Sequence, residues 1–73
     1  MEQGTVRRFN AGLGFGFIER DNGTGDAFVH FSDIQATGFR TLKVGERCEF
    51  EIIATPKGAK AVNVSVLESE QGY

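Results

Sequence analysis

Positive charge is scarce in this chain: eight lysines and arginines face ten aspartates and glutamates, for a net charge of −2 and a pI near 5.2. A domain that grips duplex DNA mainly through its phosphates is ordinarily strongly basic, so that mode is disfavoured. Cys48 is the one cysteine and His30 the one histidine. An internal disulfide is therefore excluded, and one thiolate with one imidazole cannot close a tetrahedral zinc site. We expect no metal, no cofactor and a reducing compartment. No serine, histidine and carboxylate arrangement suggests an enzyme, and so small a chain has little room for a catalytic pocket. The N-terminus lacks an apolar run of signal-peptide length, and no stretch approaches the roughly 20 apolar residues that span a bilayer. A cytoplasmic protein without membrane contact is the expectation. There are no internal repeats and no low-complexity segments.

What is present is a chain of 73 residues with ten glycines, one proline and seven phenylalanines. That length suits one domain, 1–73, with its core over about 4–67 and a polar tail over 68–73. Five strand signals are separated by short turns. Gly4 to Asn10 reads as a first strand with Val6 inward, and its broken alternation predicts a bulge near Arg8. Phe15 to Arg20 follows, with Ile18 inward and Gly16 on the same side, where a missing side chain lets a closed sheet bend. Asp21-Asn22-Gly23-Thr24-Gly25 is a turn, and Asp26 to Phe31 a third strand. Ser32 is positioned to cap a single helical turn. The connection over 36–45 sends Leu42 and Val44 to the core.

Glu46 to Ala54 alternates Cys48, Phe50 and Ile52 against Glu49, Glu51 and Ile53, the mark of a half-buried strand. Cys48 there reads as a small buried hydrophobe, not a reactive thiol. After the turn Thr55-Pro56-Lys57-Gly58, the strand Ala59 to Leu67 turns Val62, Val64 and Val66 inward. Five strands are too few for an open sandwich, and closure removes exposed edges. The predicted fold is all-β: a five-stranded antiparallel Greek-key barrel of the OB type, with no reason to expect more than a monomer.

The aromatic residues carry the functional signal. Phe15 and Phe17 share one side of their strand, and Phe28 and His30 one side of the next, while Ile18 and Val29 take the other. Valines, isoleucines and Cys48 already fill so small an interior, so the rings belong on the surface, where an aromatic cluster marks a binding site. Phe9 and Phe31 are expected to flank it, partly buried. Stacking holds a base with roughly 1–3 kcal/mol whatever its identity and needs little positive charge. The predicted partners are single-stranded RNA and DNA. The glycines of Gly12-Leu13-Gly14-Phe15-Gly16 have something of a dinucleotide-binding loop, but lack the helix and parallel strands it requires.

Gly14-Phe15-Gly16-Phe17-Ile18 and Phe28-Val29-His30-Phe31, in this order, resemble the two ribonucleoprotein motifs of the bacterial cold-shock proteins. Flanking matches include Phe9-Asn10, Gly38-Phe39, Thr41-Leu42, Lys57-Gly58 and Asn63-Val64, so the resemblance spans about Gly4 to Leu67. It implies a barrel that binds single strands with a pyrimidine preference, melts weak RNA structure and acts in the cold-shock response. It also implies base stacking by Phe15, Phe17, Phe28, His30 and Phe39, phosphate contacts from Arg7 and Lys57, and a base-edge hydrogen bond from Asp26. Asn10, Arg40, Gly58 and Lys60 complete the expected interface.

Three positions depart from the family pattern. Arg8 stands where a tryptophan is usual, and Leu13 and Thr5 stand where lysines are frequent. Arg8 can still stack on a base, but two phosphate partners are gone, which predicts weaker binding and a shallow salt dependence. These losses also keep open an alternative, a peptide-binding module that uses the same aromatic groove.

Overall fold

The computed structural model describes residues 1–35 and 41–68; the expectations for Phe39, Arg40 and the tail beyond 68 lie outside them. Five strands, β1 (Glu2–Asn10), β2 (Phe15–Arg20), β3 (Asp26–His30), β4 (Arg47–Thr55) and β5 (Gly58–Glu68), close into a barrel in the order β1-β2-β3-β5-β4. The expected barrel is present. Its neighbours run antiparallel except at the β3–β5 seam, where Phe28 and Val29 pair with Lys60 and Ala61 in parallel.

The interior is filled by Val6, Ile18, Ala27, Val29, Cys48, Phe50, Ala61 and Val64, with Ile34 and Leu42 at its margins. These are the inward sets of alternating strands, so the barrel follows from period-two patterning. Glycine makes two close approaches possible. A Cβ on Gly16 would run into the Arg8 carbonyl and stand 2.7 Å from Phe9 Cα. One on Gly14, at φ +80°, would stand 2.8 Å from the Phe31 ring. A side chain at either position would push backbone or ring aside.

Bulges decide where simple alternation fails. In β1 the register slips between Val6 and Arg8, so that Val6 pairs with Ile18 and Arg8 with Phe17. Arg7 is the extra residue, and Arg7 and Arg8 are consequently both exposed. In β5, a slip opposite Glu49 and Glu51, together with Asn63 at φ 53°, buries Ala61 and Val64 three residues apart. The expected inward trio is corrected accordingly: Val64 is core, Val62 is half-buried and Val66 is 39% exposed.

Val44 is a second correction. It is 70% exposed, because the turn at Gly45 (φ +94°) hands its amide to the Val6 carbonyl and leaves Leu42 alone as the plug. The short helical turn is also displaced. A 3-10 turn spans Phe31–Asp33, and its cap is the His30 side chain, which accepts from the Ser32 amide, so Ser32 is not the cap.

Two paired arginines tie strand ends together beside the β2–β3 turn. Arg20 donates to both carboxylate oxygens of Glu2 at 2.9 and 2.8 Å, and Arg47 to both of Asp21 at 2.8 and 2.6 Å. The guanidinium hydrogen bonds hold both carboxyls below the usual carboxylate range. Burial pushes the Cys48 thiol up to about 11.

Candidate nucleic-acid interface

Strand register turns the two motifs into a grid. Directly opposed residues on neighbouring strands face the same side and stand about 5 Å apart. Phe17 pairs with Arg8 of β1 and with Phe28 of β3, and Phe28 pairs with Lys60 of β5, making one row across four strands. Asn10, Phe15 and His30 make a second row beside it. The three phenylalanines form one cluster. Phe28 lies 5.7 Å from Phe15 and 5.8 Å from Phe17, tilted to the first and edge-on to the second. All three are partly open to solvent while the barrel interior closes behind them.

Phe31 extends the cluster. It is 44% exposed and lies 4.7 Å from the His30 ring. Its amide donates to the Gly14 carbonyl at 2.8 Å, which couples the end of β3 to the turn before β2. His30 is oriented from below: Nδ1 accepts from the Ser32 amide at 3.2 Å and lies 2.9 Å from the Ser32 hydroxyl. In the neutral ring the proton therefore sits on Nε2. Phe9 leans inward and packs against the core, so it supports the strip from beneath.

The cations fall into two groups. Arg8 stands 5.4 Å from the centre of the Phe17 ring, and among the described residues no carboxylate pairs with it. Lys57 sits in the β4–β5 turn, where Thr55 accepts from the Lys57 amide at 3.2 Å and donates to the Gly58 carbonyl at 2.8 Å. Arg7 and Lys60 are engaged. Glu19 and Asp26 are opposed across β2 and β3, and the Arg7 guanidinium lies 3.4 Å from Glu19 and 3.1 Å from Asp26. It relieves the repulsion between two facing carboxylates. Lys60 Nζ lies 3.3 Å from Asp33 Oδ2, an ionic contact without hydrogen-bond alignment.

Among the described residues, two grooves flank the rings. One of about 450 Å³ runs between Phe17 and Phe28 and the Thr55–Lys60 segment, bringing Lys57, Gly58 and Lys60 to one wall. The other, about 230 Å³, lies at the β1 side between Arg8, Asn10, Leu13 and the Phe15–Phe17 strand. Sequence reasoning passed over four contributors. Thr55 and Ala59 line the larger groove, Leu13 walls the smaller one while 66% exposed, and Ser32 aims His30. Thr55 left a signal as the hydroxyl residue opening a Pro-Lys-Gly turn, Leu13 as the residue standing where a lysine is frequent, and Ser32 as the expected cap of a helical turn.

A row of wet aromatic rings with cations at its ends is suited to unstacked bases and to the backbone that joins them. The comparisons agree with that chemistry. The model of the 'Cold-shock' DNA-binding domain matches residues 2–67. The chain is 54% identical over 67 residues to a protein named probable cold shock protein A from Mycobacterium tuberculosis, covering 92% of this chain and 100% of that one. It is 56% identical over 64 residues to cold shock protein CspC of Bacillus subtilis, covering 88% and 96%. Among solved structures it resembles Drosophila Unr CSD456 with a TM-score of 0.76 and 25% identity, over 99% of this chain and 29% of that longer one.

Proposed function

The chain belongs to the cold-shock domain family, and from that premise we propose that it binds single-stranded RNA and DNA by stacking bases on Phe15, Phe17, Phe28 and His30. The observation that carries this reading is the solvent-open phenylalanine cluster on β2 and β3. Lys57 meets the backbone at one end of the row, and Arg8 presents its guanidinium to the strand at the other. Arg7 reaches a phosphate only by leaving Asp26 and Glu19, and the same exchange frees Asp26 to accept from a base edge. Phe31 continues the stack.

Binding of this kind favours melted over paired RNA by mass action, which is the activity of an RNA chaperone or a regulator of transcription or translation in the cold. The protein works in the cytoplasm, without a catalytic step. A closed barrel leaves no strand edge that needs a partner, so it acts as a monomer. The departures that favoured a peptide-binding module are answered in part by Arg8, which supplies a flat cation at the position of the missing ring.

The test is fluorescence anisotropy with labelled dT7, dA7 and a duplex. We expect dT7 to bind more tightly than dA7, and the duplex to bind weakly. Equal affinity for duplex and single strand, or no binding of dT7, would overturn the proposal.

A further inference from the structure

Arg8 differs from the other described arginines. Arg7, Arg20 and Arg47 each rest against a carboxylate, while Arg8 stands against Phe17 at 5.4 Å. That distance lies within the roughly 6 Å of a cation–π contact, and among the described residues no carboxylate holds the guanidinium, so its donors remain available to a ligand. The smaller groove beside it has about half the volume of the one at the lysine end. Leu13 forms an apolar wall there, 66% exposed.

Hydrogen bonding limits what this groove accepts. The Asn10 Oδ1 atom takes the Leu13 amide at 2.9 Å, so the Asn10 side chain offers its NH₂ group outward. Arginine has donors only. The side-chain polar groups of the groove are thus donors, with one positive charge, beside aromatic faces. The ligand is best matched if it is flat and presents two neighbouring acceptors to the guanidinium fork.

Among the bases this describes the N7 and O6 edge of guanine, which a guanidinium meets with two parallel hydrogen bonds. Adenine places an amino group beside N7. Thymine and uracil have a donor N–H between their carbonyls. Cytosine also has adjacent acceptors, O2 and N3, but its single ring offers the strip less stacking area than the two fused rings of guanine.

We propose that the groove formed by Arg8, Asn10 and Leu13 beside Phe15 and Phe17 is a guanine-selecting subsite at one end of the stacking strip. The inference rests on the single-strand reading above and narrows it, because it adds a sequence preference for one base to a surface that otherwise takes any ring. Phe17 keeps the guanidinium in place before ligand arrives, which lowers the cost of ordering it.

The experiment walks a single guanine, and separately a single cytosine, through each position of dT7 and measures affinity by anisotropy. One position should favour guanine over thymine by about fivefold or more. At that position 7-deazaguanine, which lacks the N7 acceptor, should lose most of the advantage with the protein unaltered. Arg8→Lys, which keeps the charge and loses the fork, should reduce the guanine-to-thymine ratio to about twofold or less. The inference is overturned if no position prefers guanine, if cytosine matches it, or if the preference survives both 7-deazaguanine and Arg8→Lys. The dT7 affinity of the unaltered protein judges the single-strand reading separately: dT7 binding without guanine selection removes only this inference, and absence of dT7 binding removes both.

Discussion

Phe28→Ala tests the interface where its parts meet. Phe28 touches Phe15 at 5.7 Å and Phe17 at 5.8 Å, pairs across the seam with Lys60, and lines the larger groove. Removing the ring deletes one stacking face, worth about 1–3 kcal/mol to a bound base. It also deletes two ring contacts, each worth about 0.5–1.5 kcal/mol. Those contacts order Phe15 and Phe17, so part of their loss appears in binding. Taking about 2 kcal/mol for binding gives a Kd for dT7 raised about 30-fold. The ring is half-buried, so the stability cost is near half that of a fully buried phenylalanine, about 2 kcal/mol. For a domain of this size that lowers Tm by about 10 °C. The assay is anisotropy with labelled dT7 on wild type and variant, well below both melting points, with urea denaturation run in parallel. A folded variant whose Kd stays within twofold of wild type would refute the claim that these rings are a stacking surface.

The remaining predictions concern charge and the thiol. Two cations at the row without a carboxylate partner among the described residues, Arg8 and Lys57, with partial release of Arg7 and Lys60 from their carboxylates, amount to about three phosphate contacts and a slope near −2 in log Kobs against log salt; oligo-dT titrations with a slope steeper than about −4 would contradict this count. Cys48 has no exposed surface and a thiol pushed up to about 11, so Ellman's reagent should leave it unmodified in the folded protein at neutral pH and modify it fully in denaturant. Glu2 and Asp21 have their carboxyls lowered by Arg20 and Arg47, so their contribution to stability is complete above the unfolded carboxylate range and is lost as pH falls through the still lower folded values. Tm should therefore fall below about pH 4, and Asp21→Asn should flatten that fall in a thermal scan series.

Much of the barrel was legible because its information is local. Alternation alone marks Val6, Ile18, Val29, Cys48 and Phe50 as core, and β2 begins and ends where the residue pattern placed it, at Phe15 and Arg20. The exposed character of Phe15, Phe17 and Phe28 was legible by elimination, since the opposite parity already supplies an interior. Val44, Val62 and Val66 were misplaced for a shared reason. Val44 sits in the tight turn at Gly45, and Val62 and Val66 lie on either side of the irregularity at Asn63; an inserted residue reverses the side chains across it, a change that hydrophobicity does not record.

The candidate site divides along the same line. Ring identity and spacing along each strand are properties of the chain, and they determine that an outward aromatic cluster exists and which two strands carry it. Which cation is available is a property of the fold. Arg7 and Arg8 are adjacent and chemically identical, yet the β1 bulge turns one to Asp26 and Glu19 and stands the other beside Phe17. Their difference depends on residues 9 to 19 positions away that only strand register brings near, and electrostatic pairing falls off over a few ångströms whatever the distance along the chain.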